Sequence, residues 1–226
     1  MDFTYYGHSC FAVGIKGKKL LFDPFIKPNE LAKHINADAI PADFILLSHG
    51  HADHITDCVS IAKRTGAKVI GSWEIYEWLN GQGVSNAHPM NTGGKWDFGE
   101  FVVKCVAAQH SSGLPDGSYG GNPLGFLVMG EEGNFYYSGD TALTLDMQLI
   151  SRWAKLDFAV LPIGDNFTMD ATDAAACADM IKCKKVIGVH YDTFGFIKID
   201  HAKAKQVFAQ SGVELILLKI GETISI

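Results

Sequence analysis

The sequence predicts an α/β protein of packed sheets and helices, and two observations support this. Short apolar runs typical of buried strands alternate with segments of helical periodicity along the chain. Four of the apolar runs end in residues able to bind a metal ion. Because a strand end holds its side chains rigidly, we expect a metal site at one edge of the packed sheets.

The densest group of metal-binding side chains lies in residues 48–55. Residues 43–47 form a mainly apolar stretch that predicts a buried strand, and residues 55–65 have a helical pattern that Gly66 closes. The turn between them contains His49, His51, Asp53 and His54. Three imidazoles and a carboxylate suit zinc, manganese or iron. We therefore interpret this turn as a metal site rather than a polar surface turn or a helix cap.

Four ligands from one turn cannot all close on a single ion, because neighbouring side chains point in different directions. Asp53 and His54 are expected to diverge from the pair His49 and His51. A second ion is the simplest explanation. It requires further ligands from other parts of the chain.

Composition and charge limit the class of protein. With 226 residues, 47% hydrophobic and 19% charged, the chain suits one globular domain over residues 1–226. A net charge of −6 disfavours a general surface for nucleic acid or anionic membrane. No apolar run approaches the length of about 18 residues that a transmembrane helix needs. The N-terminus lacks the pattern of a signal peptide, which indicates a cytoplasmic protein.

The cysteines are spread along the chain without CxxC spacing. They are Cys10, Cys58, Cys105, Cys177 and Cys183. We expect neither a disulfide framework nor a cysteine–zinc knuckle, and we predict that each is a small buried residue.

Residues 2–25 carry three apolar bursts separated by glycines, which predict a three-stranded meander. His8 falls in the first turn, where it is either structural or at the border of a cleft. Asp23 ends the third strand, and it is either a simple turn residue or a carboxylate that orients a ligand imidazole.

Several other segments are predicted to carry no ligand. They are a short helix at 30–33, a strand at 68–71, a helix at 72–79 and a loop at 80–94. The core-facing stripe of the second helix is predicted to be Trp73, Tyr76 and Leu79. The histidines expected to be exposed are His34, His88 and His201.

Two strand ends in the middle of the chain supply further candidate ligands. Residues 100–109 predict a strand that ends in His110, the third imidazole that a site with His49 and His51 needs. Residues 111–123 are rich in glycine, serine and proline, and form either a mobile substrate lid or a plain connection.

Residues 124–129 and 134–138 predict a hairpin that leads to Asp140. A carboxylate at this position can span two cations with its two oxygens. The competing interpretation is that Asp140 or Thr141 caps a helix at 143–153. Beside the clustered histidines, we favour the bridging carboxylate.

The last part of the chain supplies one more histidine. A strand at 157–163 leads to a loop at 164–169, which is expected to line the cleft, and then to a helix at 171–182. The next strand, 185–189, ends in His190, which would complete a second site with Asp53 and His54. The final predicted elements are a helix at 200–211 and strands at 213–220 and near 224.

This arrangement resembles the metallo-β-lactamase superfamily, whose HxHxDH signature corresponds to residues 49–54. His110, Asp140 and His190 follow in matching order and context, so the resemblance spans nearly the whole chain. It implies a four-layer αββα sandwich of two similar halves. The implied ligands of the first metal are His49, His51 and His110; those of the second are Asp53, His54 and His190, with Asp140 as the bridge.

A narrower resemblance rests on residues 7–11, 23–25, 164–169 and 190–191. These stretches are similar to the hydrolase branch beside the L-ascorbate-6-phosphate lactonases and the N-acyl-phosphatidylethanolamine phospholipases. True β-lactamases of the commonest subclass carry a metal-binding cysteine that has no equivalent here, so an antibiotic is not the expected substrate. Flavin-linked di-iron members carry a glutamate in the signature, which this chain lacks.

Two divalent ions would leave the site cationic despite Asp53 and Asp140, and would lower the pKa of bridging water toward ~7. The expected reaction is attack by the resulting hydroxide on an ester, lactone or amide bond of a small anionic substrate, with Asp53 and Asp140 as catalytic residues. Zinc is the expected metal, and manganese and iron are alternatives.

Other functions stay open at this point. One is a phosphodiesterase or nuclease on the same ions, which the acidic balance and the lack of a basic arm disfavour. Another is a mononuclear iron oxygenase, or a binding protein that uses its metals structurally. The sequence is compatible with a homo-oligomer and does not identify the substrate.

Overall fold

The computed structural model describes residues 1–226 and consists of two seven-stranded sheets. The strands of the first sheet are β1 (Asp2–Gly7), β2 (Cys10–Ile15), β3 (Lys18–Phe22), β4 (Phe44–Leu46), β5 (Lys68–Gly71), β6 (Ala87–Pro89) and β14 (Thr223–Ser225). Those of the second sheet are β7 (Lys95–Asp97), β8 (Val102–Ala107), β9 (Leu124–Gly130), β10 (Gly133–Tyr137), β11 (Phe158–Pro162), β12 (Lys185–Val189) and β13 (Glu214–Ile216). The final strand therefore returns to the first sheet, where it pairs with β1.

The two sheets repeat one plan. In the first, β1, β2 and β3 form the predicted antiparallel meander, and β3 to β6 are parallel neighbours. In the second, β7 to β10 are antiparallel neighbours and β10 to β13 are parallel. Because parallel strands share one direction, their carboxyl ends lie along one edge of each sheet.

The helices cover the outer faces of the sheets. They are α1 (Ala52–Ile55), α2 (Cys58–Thr65), α3 (Trp73–Gly81), α4 (Ile150–Trp153), α5 (Ala171–Met180) and α6 (His201–Gln210). Buried residues of α2 and α3 pack with the first sheet, and those of α5 and α6 pack with the second. A third apolar cluster lies between the sheets. The predicted four-layer αββα sandwich is confirmed.

Aromatic side chains join the two sheets. Phe3 stacks on Phe11 with ring centroids 4.9 Å apart, and meets Phe158 of the opposite sheet edge-on at 6.1 Å. Phe22 meets Phe135 across the same interface at 5.8 Å. Each large ring buries about 150–250 Å² of surface, so these pairs stabilise the packing of one sheet on the other. The positions of the strand ends relative to one another are thereby fixed.

Two predicted helices differ in the structure. The helix predicted at 55–65 is divided into α1 and α2, because the backbone N–H of Asp57 donates to Pro24 instead of continuing the helix. The Asp57 carboxylate in turn accepts from the backbone N–H groups of Ile26 and Lys27. The segment predicted as a helix at 143–153 is a 3₁₀ turn, Leu145–Leu149, followed by α4.

The short helix predicted at 30–33 is a 3₁₀ turn, Glu30–Ala32, which the side chain of Asn29 caps. The stripe predicted on α3 was wrong at Trp73, which is 55% exposed. Ile75 and Leu79 are the residues of α3 that are fully buried against the first sheet. The face of α3 that packs against the sheet carries the branched aliphatic side chains. Trp73 lies in the first turn of the helix and is not part of this face.

Strands β6 and β7 lie where the sequence predicted no strand. Both have three residues, carry few apolar side chains and form the edge of their sheets, so sequence periodicity could not reveal them. The cysteine prediction is confirmed, since all five thiols are free and buried. None of the helices is long and apolar enough to cross a lipid bilayer.

Candidate metal centre

The predicted ligands lie at one edge of the sandwich. Residues 48–54 follow β4, His110 follows β8, Asp140 follows β10 and His190 follows β12. Strands β8 and β10 run in the same direction because both are antiparallel to β9, so their carboxyl ends meet at the same edge. The order of strands therefore brings together side chains that are far apart in the sequence.

The first group of side chains comprises His49, His51 and His110. One ring nitrogen from each lies within 4.8 Å of the others. Nε2 of His49 is 2.9 Å from Nδ1 of His51, and the His110 ring centroid is 5.1 Å from both other rings. His49 is completely buried, whereas His51 and His110 are half-buried at the open side of the group. This geometry suits three imidazoles around one ion.

The second group comprises Asp53, His54 and His190, together with His8. Oδ2 of Asp53 lies 3.8 Å from Nε2 of His54 and 3.9 Å from Nε2 of His190. Of the two interpretations of His8 that the sequence left open, the structure places it beside the site, since its Nε2 is 3.0 Å from Oδ2 of Asp53.

Asp140 lies between the two groups. Its Oδ2 is 2.9 Å from Nε2 of His190, 3.2 Å from Nε2 of His54 and 3.7 Å from Nε2 of His110. The competing helix-cap interpretation does not apply, because the 3₁₀ turn begins after Thr144. Oδ1 of Asp140 is buried without any hydrogen-bond partner, and Nε2 of His54 is buried with only a poorly aligned contact to Oδ2 of Asp140. Such atoms are costly to leave unpaired, and a bound cation would satisfy both, so the donor set fits a metal centre.

Asp23 is a buried carboxylate that contacts the candidate ligand His54 on the side away from the centre. Its Oδ2 lies 2.8 Å from Nδ1 of His54 and accepts from the Tyr137 hydroxyl at 2.6 Å. Ser48 donates to Asp23 through both its hydroxyl and its backbone N–H. Asp23 is also close enough to His49 and His54 to form a third group, but its oxygens are already occupied by these donors. It therefore orients His54, as the second of the two sequence interpretations stated.

Burial and the carboxylates set the protonation of the imidazoles in the metal-free protein. Burial, followed by the nearby His54, lowers the pKa of His49 well below its usual value. Burial would also lower the pKa of His54, but the carboxylates of Asp140 and Asp23 outweigh it and raise this pKa well above 6.5. A metal ion that binds His54 must therefore displace a proton, whereas His49 is already neutral and ready to bind.

The carboxylates are ionised. Burial alone would raise the pKa of Asp140, but His190 and His54 outweigh it and hold the pKa well below its usual range. Burial is also outweighed at Asp53, where the hydrogen bond from His8 and the charge of His54 lower the pKa. Burial, followed by the charge of His190, lowers the pKa of His8 to about 4, so the His8 ring is neutral at pH 7.

Two loops border the centre. The loop at 111–123 is anchored at its base, where Ser112 accepts from the Gly50 backbone N–H and Ser72 donates to the Gly120 carbonyl. Ser111 lies 3.2 Å from Nε2 of His51, at the open side of the first group. The loop at 164–169 is tied to the centre through the backbone bond from Met169 to Thr141. The action of the loop at 111–123 as a lid and the lining of the cleft by the loop at 164–169 stay predictions.

The remaining histidines lie outside the cluster of candidate ligands. Two residues next to this cluster were also not predicted from the sequence. His34 and His201 are exposed as predicted, while His88 lies half-buried on β6 with its ring 4.8 Å from Trp96. No sequence signal singled out Tyr137 or Thr193, although each contacts a residue of the centre. Their positions just before Asp140 and just after His190 are the only hint that the chain offered.

The fold and the clustered histidines define a protein of the metallo-β-lactamase class, and comparison with known proteins agrees. Residues 18–191 match the model of the β-lactamase superfamily domain. A protein of Christiangramia forsetii named UPF0173 metal-dependent hydrolase is 51% identical over the full length of both chains. One of Flavobacterium johnsoniae with the same name is 49% identical, again over both whole chains.

A solved structure of a related metallo hydrolase has the same fold. Igni18, described as a novel metallo hydrolase from the archaeon Ignicoccus hospitalis, is 31% identical with a TM-score of 0.88, covering 99% of this chain and 97% of that one. The chain belongs to the UPF0173 family of metal-dependent hydrolases, within the metallo-β-lactamase superfamily. The narrower resemblance to the ascorbate-phosphate lactonases stays a prediction.

Proposed function

We propose that this enzyme hydrolyses an ester, lactone or amide bond of a small anionic substrate with two divalent ions. The proposed ligands of the first ion are His49, His51 and His110; those of the second are Asp53, His54 and His190, and Asp140 bridges them. The observation that carries the proposal is the position of Asp140. Its Oδ2 contacts members of both groups, and its Oδ1 has no other partner in a buried site.

Zinc is the metal that these donors favour, and manganese and iron are the alternatives. When bound, the ions supply a hydroxide nucleophile at neutral pH and polarise the oxygen of the scissile bond. The buried Asp23 keeps Nδ1 of His54 engaged, so that Nε2 faces the centre.

The two carboxylates have different surroundings, which suggests different roles. The side chain of Asp140 is 3% exposed and is enclosed by imidazoles, as a bridging ligand should be. That of Asp53 is 26% exposed, so it can be reached from the open side of the centre. We assign to Asp53 the uptake of the proton that the attacking hydroxide releases as the tetrahedral centre collapses, and its passage to the leaving group.

The charge of the centre selects the substrate class. The positive charge of two divalent ions exceeds the negative charge of Asp53 and Asp140, so a carboxylate or phosphate on the substrate is attracted. The chain as a whole carries a net charge of −6, which disfavours a long polyanion. A small molecule with one anionic group satisfies both conditions.

Metal analysis and a substrate panel test this proposal. We expect two zinc or manganese ions per chain after reconstitution, and turnover of a lactone, thioester, ester or acyl-amide. Asp53→Ala should abolish turnover with little change in folding, while the exposed Asp146→Ala should behave as wild type. One iron per chain would favour an oxygenase, and turnover of phosphodiesters alone would favour a phosphodiesterase. Retained turnover in Asp53→Ala would remove the role assigned to that residue.

A further inference from the structure

His8 is a buried histidine at the centre whose two ring nitrogens are both engaged. It is 1% exposed and has a left-handed backbone, with φ of 54°. Nε2 lies 3.0 Å from Oδ2 of Asp53, and Nδ1 lies 3.0 Å from the hydroxyl of Thr193. A left-handed conformation is costly for a residue other than glycine. The surrounding structure must therefore hold it in place.

The backbone of His8 is held by the second half of the molecule. Its carbonyl accepts from the backbone N–H of His190 at 2.9 Å and from the Tyr5 hydroxyl at 3.1 Å. The His8 ring also lies 4.2 Å from the His190 ring and 5.3 Å from that of Phe194. The turn between β1 and β2 is thus tied to the loop after β12, and His8 cannot shift without His190.

Hydrogen bonding decides which ring nitrogen carries the proton. A carboxylate only accepts, so the contact with Asp53 requires the hydrogen on Nε2. In a neutral ring Nδ1 is then an acceptor, so we assign the hydroxyl hydrogen of Thr193 to this shorter contact of 3.0 Å, although the same hydroxyl can also donate to the Tyr191 carbonyl at 3.3 Å. The direction of donation is Thr193 to His8 to Asp53. Because both nitrogens are engaged, His8 has no lone pair free to bind an ion.

We propose that His8 is a positioning residue that fixes Asp53 at the second metal position, with Thr193 fixing the tautomer of His8. The bond from His8 holds Oδ2 of Asp53 in the group formed with His54 and His190, and leaves that oxygen a second lone pair for an ion. Asp53 is the most exposed member of this group, and His8 is its one hydrogen-bond donor. This inference rests on the proposed dinuclear centre and extends it to a residue outside the ligand set.

A titration with Co²⁺ tests the positioning role of His8 without a substrate. Co²⁺ is added to the metal-free full-length protein, and the visible d–d absorption and the number of bound ions are measured. Wild type should bind two ions. His8→Ala should weaken the second ion about 10- to 100-fold and leave the first unchanged, as expected for loss of a hydrogen bond to a metal ligand. His8→Gln, whose amide N–H can reach Asp53, should recover most of the affinity. Thr193→Val should lie between His8→Ala and wild type.

Alanine and glutamine share the backbone strain at position 8, so their difference reports the side chain alone. His201→Gln is the matched control, because His201 also contacts an aspartate, Asp192, but is exposed and outside the centre. Wild-type affinity for both ions in His8→Ala, or no recovery in His8→Gln, would overturn the inference. A changed Co²⁺ spectrum in His8→Gln would also overturn it, since His8 would then be a ligand. Fewer than two ions in wild type would overturn the dinuclear centre itself, and this inference with it.

Discussion

Oδ2 of Asp140 lies 3.2 Å from Nε2 of His54, and this contact joins the second sheet to the first. Asp140 follows β10 and His54 lies on α1, just after β4. The candidate centre is therefore at the seam between the two halves, and neither half contains it alone. Substitutions on either side of the seam should affect metal binding.

Asp140→Asn should abolish activity, with a loss on the order of 10³-fold in kcat, because an amide cannot replace an anionic bridge. Metal content after dialysis should fall below two ions per chain. Elemental analysis and kcat on the best substrate of the panel are the measurements. Asp146→Asn, an exposed aspartate close by in the sequence, is the control. Two retained ions with kcat within twofold of wild type would contradict the bridging role.

Asp23→Asn should lower metal affinity about 10- to 100-fold while leaving the ligands themselves in place. The amide keeps the size of the side chain, but it removes the negative charge that orients His54 and disturbs the hydrogen bonds from Ser48 and Tyr137. Competition with a chromogenic chelator measures the affinity. Tyr137→Phe removes one of these donors and should give a smaller change. Equal affinity in Asp23→Asn and wild type would show that Asp23 is a turn residue only.

The metal-free protein should lose stability as the pH falls from 6.5 toward 4. Burial lowers the pKa values of His8 and His49 in the folded state, so below 6.5 the unfolded chain binds more protons. These two histidines cost no stability above pH 6.5 and cost progressively more below it, by at most about 1.4 kcal/mol per pH unit for each of them. The raised pKa of His54 acts in the opposite direction, and its contribution to stability is lost only as the pH rises above 6.5.

Urea unfolding of the chelator-treated protein at several pH values measures this slope. His8→Gln should reduce it, because one of the buried imidazoles is then absent. Stability that stays constant or increases between pH 6.5 and 4 would contradict the assignment of neutral buried imidazoles.

Removal of metal should lower the melting temperature, because an ion that binds only the folded chain stabilises it. At a free concentration of 100 times Kd the gain is ~2.7 kcal/mol per site, which for a chain of this size corresponds to about 5–10 °C. Thermal scans with chelator, and again after adding Zn²⁺, measure the shift. The pair of substitutions His49→Ala and His51→Ala should remove the response of the first site. An identical melting temperature with and without Zn²⁺ would contradict metal binding.

The thiols should be unreactive in the native protein. All five are buried, and burial raises the pKa of Cys105 to about 12, so thiolate is scarce at pH 8. A colorimetric thiol reagent should label fewer than one cysteine per chain in an hour and all five after denaturation. Fast native labelling would show that the core opens more readily than its packing indicates.

Much of this protein can be predicted from its sequence because much of its order is local. Apolar runs identified the long buried strands, and the turn at 49–54 identified the first candidate ligands. His110, Asp140 and His190 were identified because each follows such a strand. A buried strand and the residue after it are adjacent along the chain, so the pattern is visible without the fold.

Only the tertiary structure decided the rest. The bond from Asp57 to Pro24 divided the predicted helix, and the packing of α3 on the first sheet exposed Trp73. The side chains of His8 and Asp23 form hydrogen bonds with Thr193 and Tyr137, which belong to the other half of the chain. Such contacts form across the seam between two sheets, and local sequence preferences carry no information about which distant side chain will complete a hydrogen bond.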